Sequence, residues 1–410
     1  MNICILTTSI TLHRMGGTEV HAETIARAAA KTGHHVTLVT TAHPQGKTRE
    51  EKDGYSIEYL PGTHFEMSRE HLQPWWTESS KKISELWKNG LIDIVWAENL
   101  SAQYYVSKVP SLRRPPIISI INGPGIRGDL KSQWAQVNSL SAFGYFIAHA
   151  LPQAVFYSLP WFWRVTKHSE FLVTVSDYCE LEIRKEFPAC RTKTMTILNP
   201  VDTLRFQPSS AVRMAARERY GIAADAPTAA MSGVLYRQKG MHHGIEAFKL
   251  IKSSLPEAKL IIAGDGPEMN PLKALAGQLG LTDSVIFCGA IANKDMNIFY
   301  NTADIYLNPT LRQEGLPIVI LEALACGLPC VITLAGGNAS AIENGIDGFF
   351  VTPGKIDELA EKAVLLLGNP ALLKTMSANA RQRAGRVFGM GSTISKYLEL
   401  SESIIKTRTR

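Results

Sequence analysis

The stretch "LRQEGLPIVILEALACGLPC", Leu311 to Cys330, holds two carboxylates, Glu314 and Glu322, with seven residues between them. A Gly-Leu-Pro turn follows the first. Proline suits the opening position of a helix, where its missing N–H would be unsatisfied anyway. A helix starting near Pro317 points the N–H groups of Ile318, Val319 and Ile320 outward, and its positive dipole end favours an anion. Glu322 then lies just over one turn into the helix, within reach of a ribose. Glu314, in the loop, could reach a sugar, and a carboxylate accepting two hydrogen bonds from a vicinal diol suits both. The residues alone leave a second reading equally open: Glu314 caps the helix and Glu322 makes a surface pair. "SGVLYRQKGM" adds Arg237 and Lys239 behind an apolar run. Two cations there suit a diphosphate in a partly dry cleft, although in isolation a solvated basic loop is the stronger reading. Gly16 and Gly17, between an apolar run and a helical pattern, allow a ligand close to the backbone or simply a flexible turn. "AGDGPEM" lacks the third glycine of the dinucleotide fingerprint, so a turn before a helix explains it better.

These residues must be positioned by alternating short strands and helices. In the first half, "NICILTTS", "HVTLVTT", "IDIVWAE", "PPIISIING" and "EFLVTVSD" read as strands. In the second, "PTAAMSGVLY", "AKLIIAGDG", "SVIFCGA", "ADIYLNP" and "PCVITLA" do the same, separated by helices such as "GMHHGIEAFKLIKSS". Strand–helix alternation predicts parallel sheets covered by helices on both faces. Two doubly wound domains result, joined near "ILNPVDTLRFQPSS", where Asn-Pro, Asp and a second Pro break the periodicity. The boundaries fall at 1–200 and 201–385, with a closing amphipathic helix at about 386–410 expected to return to the first domain. Ligands of such sheets bind beyond the carboxyl ends of the strands.

Bulk properties agree with a folded chain. Its 410 residues exceed one ordinary core, and 45% apolar against 20% charged content excludes disorder. A net charge of +6 is mild for this length, and without a polybasic block nucleic acid is a poor partner. Of six cysteines, Cys4 and Cys288 read as small core residues, and Cys326 with Cys330 makes only a weak zinc candidate. Reduced thiols and no signal-peptide pattern lead to the expectation of a cytoplasmic protein. Residues 142–163, "AFGYFIAHALPQAVFYSLPWFW", are about as long as a membrane span. Pro152, Pro160, His149 and Gln153 interrupt the run, so a buried or interfacial helical segment is expected instead, with contact to the cytoplasmic membrane face left open.

The second half resembles the family-four retaining glycosyltransferases of GT-B fold, whose E-x7-E motif matches Glu314 and Glu322. Further matches follow in order: "MGGTEVHAETIARAAAKTGHHVTLVT", "VTVSDYCELEIRK", "ILNPVDTLRFQP", "LIIAGDGPE", "ADIYLNPT" and "GGNASAIENGIDGFFV". The resemblance spans nearly the whole chain. It implies an α/β fold of GT-B type, two Rossmann-like doubly wound domains facing across a cleft, with the acceptor on the N-terminal side. It implies a nucleotide diphosphate sugar, UDP-sugar favoured, held by the C-terminal domain without metal or cofactor. Glu322 would hold the ribose and Glu314 would face the donor sugar. Lys239 and Arg237, with Gly233 and the backbone of Gly315, Leu316, Pro317, Ile318 and Val319, would hold the diphosphate. Gly289, Ala290 and Ile291 would meet the base, and Gly16 and Gly17 would approach the donor.

The chain also departs from the family. Val234 stands where an arginine usually follows the glycine, leaving Arg237 to supply the cation. Asn122 stands where a histidine often positions the sugar; it can donate a hydrogen bond but holds no positive charge. Pro317 replaces a glycine. The resemblance implies retaining transfer to a hydroxyl acceptor, in surface polysaccharide, glycolipid or glycosylated-metabolite synthesis. A non-catalytic nucleotide-sugar-binding partner and a GT-B epimerase are the alternatives. The sequence does not specify the acceptor, the nucleotide or the oligomeric state. Phe156 and Trp161 are the side chains through which lipid contact would act.

Overall fold

The computed structural model describes residues 1–66, 69–134, 137 and 139–408. The chain divides into two compact units, Met1–Pro200 with Met390–Arg410, and Val201–Gly389.

In the first unit the described strands are β1 (Asn2–Leu6), β2 (His35–Thr41), β3 (Arg49–Lys52), β4 (Tyr55–Leu60), β5 (Ile94–Glu98), β6 (Ile117–Ile121), β7 (Phe171–Thr174) and β8 (Thr194–Thr196). They lie in the order β3-β4-β2-β1-β5-β6-β7-β8. All neighbours are parallel except β3, which runs antiparallel to β4. The inner strands are continuous apolar runs because helices cover both faces. β5 and β6 are buried at every position. β3 departs from the expected all-parallel sheet. Its sequence, Arg-Glu-Glu-Lys, has no apolar signal, and charge on an edge strand discourages pairing with another chain.

The helix Met390–Arg408 belongs to this unit. Its Tyr397 ring packs 5.1 Å from Trp96 on β5. The Trp96 indole N–H donates to Ser401 Oγ at 3.0 Å. A Trp indole buried in a core needs such an acceptor.

The second unit carries β9 (Thr228–Ser232), β10 (Lys259–Ala263), β11 (Val285–Gly289), β12 (Ile305–Asn308), β13 (Cys330–Thr333) and β14 (Gly348–Val351). Their order is β11-β10-β9-β12-β13-β14, all parallel. The core gathers Met231, Ile245, Phe248, Leu260, Leu307 and Val331. The strand order reverses direction between β9 and β12. Parallel sheets place their ligand crevice beyond the carboxyl ends at such a point.

The aromatic run is helical from Leu140 to His168, but it is not buried. Two π-helical stretches, Phe146–Ala150 and Ala154–Ser158, each end two residues before a proline, Pro152 and Pro160. A proline ring clashes with the carbonyl four residues back, and a widened turn relieves that clash. Trp161 is half-buried, edge-on to Trp76 at 6.1 Å, whereas Phe156 is exposed. No described helix is long and apolar enough to cross a membrane.

Candidate active site

The second unit builds its site from two loops and one helix. The first loop, Gly233 to Gly240, leaves β9; the second, Pro309 to Pro317, leaves β12. They are stitched together by the Leu311 N–H donating to Gln238 O at 2.9 Å and by Thr310 Oγ1 donating to the same carbonyl. Glycine makes the approach possible. A Cβ on Gly240 (φ +69°) would stand 1.9 Å from Pro309 O, a position only glycine tolerates. Gly264, from "AGDG", is used in the same way, since its Cβ would stand 1.9 Å from Gly233 O.

This stitching brings Lys239 to Glu314, whose Oε1 accepts from Lys239 Nζ at 2.6 Å. Thr310 Oγ1 donates to the same oxygen at 3.4 Å. Burial pulls the Glu314 carboxyl upward, but the Lys239 and Arg312 charges outweigh it and hold the group below its ordinary range. Gly336 and Gly337 hold the loop from behind. The Gly337 N–H donates to Glu314 O at 2.8 Å, and a Cβ on Gly336 would lie 2.5 Å from that carbonyl. "GGNASA" was legible as a matching motif but carried no sign of this supporting role.

The helix Ile318–Ala325 is apolar at every position but Glu322. Pro317 is not its first residue but its cap (φ −67°, ψ 118°), and no side chain caps the helix start. Glu314 therefore does not cap the helix. In the first turn the Ile320 N–H donates to Pro317 O at 3.2 Å, which leaves the Ile318 and Val319 N–H groups without an acceptor inside the helix. At the other end, Arg381 donates to Ala325 O at 2.7 Å, placing a cation where the dipole is negative.

Glu322 is buried, which removes the surface-pair reading. The Tyr300 hydroxyl donates to its Oε2 at 2.8 Å. Tyr300, Ser232 and Tyr306 continue the network, with Ser232 Oγ 3.0 Å from the Tyr306 hydroxyl. Burial pushes the Glu322 carboxyl up to about 7, against the opposing pull of the Tyr300 hydrogen bond and the Arg205 charge. None of these three partners stood out in the sequence. Tyr306 lies in the strand "ADIYLNP" and Ser232 opens "SGVLYRQKGM", but the sequence attaches no role to either or to Tyr300.

Of the other expected residues in this unit, Gly233 (φ +144°) and Gly289 (φ +67°) both adopt backbone that favours glycine. Ala290 is exposed and Ile291 half-buried at the end of β11. Gly315, Leu316 and Ile318 are buried, and Val319 is half-buried. Arg237 is exposed, 3.6 Å from Glu268. The rings of His242 and His243 lie 4.1 Å apart, tilted at 51°. Burial lowers the His242 pKa to about 4, so that ring is neutral packing.

Asn122, Gly16 and Gly17 belong to the first unit. Asn122 follows β6, and its amide Nδ2 donates to Glu98 Oε2. The other oxygen of Glu98 contacts His21 Nδ1 at 2.7 Å. The Asn122 N–H donates to Asn99 Oδ1 at 3.0 Å. One of the two side-chain N–H groups of Asn122 is thus already used, and its buried Oδ1 has no partner among the described residues. Gly16 caps the helix Gly17–Lys31. Beside it lies the buried Glu19 carboxylate, accepting from Ser9 Oγ at 2.5 Å and Arg14 Nε at 2.7 Å. That carboxylate places negative charge at a helix start expected to favour an anion. Among the described residues no three His, Cys, Asp or Glu side chains converge as a metal site would require.

Two parallel-sheet α/β domains with these loops define the GT-B class of fold. Sucrose-phosphate synthase from Thermosynechococcus elongatus superposes with a TM-score of 0.80 at 18% identity, over 99% of each chain. Anabaena HepE, solved with UDP and glucose, gives 0.76 at 21% identity, over 98% of this chain and 100% of that one. In sequence, residues 15–205 match the model for glycosyltransferase family 4, and residues 212–383 the model for glycosyl transferases group 1. The chain belongs to this family of GT4-type glycosyltransferases.

A GDP-mannose-dependent α-(1-6)-phosphatidylinositol monomannoside mannosyltransferase of Mycolicibacterium smegmatis is 32% identical over 190 residues. That alignment covers 45% of this chain and 50% of the relative. The α-D-kanosaminyltransferase of Streptomyces kanamyceticus is 31% identical, over 49% of this chain and 51% of that protein. The chain thus spans about half the length of these curated relatives.

Proposed function

We propose that the protein is a retaining glycosyltransferase that moves a sugar from a nucleotide diphosphate sugar, UDP-sugar favoured, to a hydroxyl acceptor. The observation that carries this is the Lys239–Glu314 pair set against the uncapped start of the helix that buries Glu322. The loop that carries Glu314, and with it Lys239, runs directly into the helix start, so a lysine, the Ile318 and Val319 N–H groups and a positive dipole end are tied to one stretch of chain. That arrangement suits a diphosphate, and Glu322 on the same helix suits the ribose hydroxyls.

In this reading an entering diphosphate shares or takes Lys239 from Glu314, whose carboxylate is then free to accept from donor-sugar hydroxyls. The acceptor hydroxyl attacks the anomeric carbon on the face from which the nucleotide leaves. The C–O bond to phosphate breaks, the new glycosidic C–O bond forms, and the acceptor proton passes to the departing phosphate oxygen. Lys239 and the helix start stabilise the charge developing there. No enzymatic nucleophile and no metal ion is invoked. UDP is preferred because a structural relative was solved with UDP and glucose; a GDP-mannose-dependent relative makes GDP sugars the first competitor. A cytoplasmic setting, where nucleotide sugars are made, goes with this function.

The test is incubation with labelled UDP and GDP sugars, with candidate acceptors and with EDTA, followed by proton NMR of the product anomer. Retention of configuration with EDTA-resistant turnover is expected. Inversion, or EDTA-sensitive turnover, refutes the mechanism. Binding without turnover, including hydrolysis, would favour a non-catalytic partner, and sugar conversion without acceptor an epimerase.

A further inference from the structure

From Ser132 to Trp163 the chain contains no Asp, Glu, Lys or Arg. Most of this stretch lies in the helical run Leu140–His168 of the first unit, and several of its large side chains face outward, while Trp161 and Phe162 pack against the unit. Tyr145 is 65% exposed, Phe156 71% and Trp163 50%, with Phe143, Ile147 and Leu159 exposed beside them. Ala150 and Ala154 are buried in the middle of the run, and Trp134 packs edge-on to Phe143 and Phe146, tying it to the preceding helix. A contiguous apolar surface of this kind marks an interaction site.

The charges at its ends indicate what the surface meets. Between Asp129 and Glu170 the sequence holds no acid, while Lys131, Arg164 and Lys167 bracket the apolar run; Lys131, more than half exposed, lies 3.6 Å from Glu182, and Arg164 donates to Gln103 Oε1 at 3.0 Å. Lys167 Nζ lies 4.5 Å over the Trp163 ring, a cation and an aromatic ring side by side at the edge of the surface. Beyond it opens a groove of about 370 Å³ lined in part by Lys108, Lys167 and His168, and by Glu170, which is paired with Arg114 at 2.9 Å. A second copy of the chain, paired about a two-fold axis, would bring the same cations to the same surface, and they would repel. An anionic bilayer supplies the complement: phosphates for the lysines and an acyl boundary for the aromatic and aliphatic side chains. The prolines and the exposed position against a neighbouring helix fit a segment lying in the interface plane rather than crossing it.

We propose that the helical run Leu140–His168 docks the protein on an anionic lipid bilayer, with Tyr145, Phe156 and Trp163 entering the headgroup–acyl boundary and Lys131, Lys167 and Lys108 meeting lipid phosphates. The experiment is co-sedimentation of the full chain with vesicles of phosphatidylcholine alone and of phosphatidylcholine containing phosphatidylglycerol, at low and high salt. Binding to the phosphatidylglycerol vesicles, weakened by salt, is expected. The triple variant Tyr145→Ser, Phe156→Ser, Trp163→Ser should bind roughly tenfold or more weakly, and Lys131→Glu with Lys167→Glu should bind weakly to the anionic vesicles only. Both variants change exposed side chains, and an unaltered unfolding temperature verifies their fold. If the wild type ignores anionic vesicles, or the triple variant binds as well as the wild type, the proposal falls. A dimer that the triple variant dissolves, in a protein that binds no vesicle, overturns it in favour of a second copy. No nucleotide sugar enters the assay, so its outcome is separate from that of the transferase reading.

Discussion

Replacing Glu322 with glutamine should stabilise the protein at neutral and alkaline pH while weakening its hold on a nucleotide. In the folded unit the carboxyl is raised from 4.5 to about 7, chiefly by burial. Between those values the folded protein keeps a proton that the unfolded chain has lost, so stability falls as pH rises through the window. The contribution is complete below the unfolded value and gone above the folded one. At 1.36 kcal/mol for each pH unit it amounts to roughly 3 kcal/mol. Glutamine keeps the shape and can still accept from the Tyr300 hydroxyl, but does not titrate. The unfolding temperature of Glu322→Gln minus that of the wild type should therefore widen between about pH 5 and about pH 8, by at most roughly 6–12 °C for a unit of this size. A ribose diol donates two hydrogen bonds to a carboxylate and favours its charged form. Wild-type UDP affinity should then rise with pH up to about 7, by up to about tenfold per pH unit, with proton release visible by calorimetry in buffers of different ionisation enthalpy. In Glu322→Gln the affinity should be lower and flat. A temperature gap that does not change with pH, together with pH-independent wild-type affinity, would refute the reasoning.

Lys239→Ala removes the 2.6 Å partner of Glu314 and the cation expected to face the leaving phosphate; kcat should fall by roughly 100-fold or more, measured by product formation at saturating donor. Gly240→Ala puts a Cβ into Pro309 O at φ +69°. The left-handed backbone alone costs roughly 1–2 kcal/mol, so calorimetry should show a lower unfolding temperature, whereas no change would show the loop to be looser than described. Asn122→Asp sets a second carboxylate against Glu98 in place of the amide donor. Two carboxylates at that range cannot both ionise, so the unfolding temperature of this variant should drop further below the wild type at high pH than at low pH.

Much of the site was legible along the chain because its parts are local. The spacing of Glu314 and Glu322 across a Gly-Leu-Pro turn specified a helix start between two carboxylates, and strand–helix alternation specified parallel sheets. Edge strand β3 was not legible, since an edge needs no apolar residues and Arg-Glu-Glu-Lys shows no period. The exposure of the aromatic run was also out of reach: composition says that a segment is apolar, not whether another element covers it.

The order of elements, and which side chains sit at strand ends and helix starts, can be read along the chain because they follow from periodicity, proline and glycine over a few residues. Tertiary structure decided how those side chains behave. Lys239 meets Glu314 across 75 positions of chain, and Tyr300 reaches Glu322 from a separate helix. Asn122 gives an amide N–H to Glu98, the last residue of a different strand. Each of these contacts depends on packing between segments distant in the chain, and the charge and hydrogen-bonding state of a buried group is set by what that packing places around it.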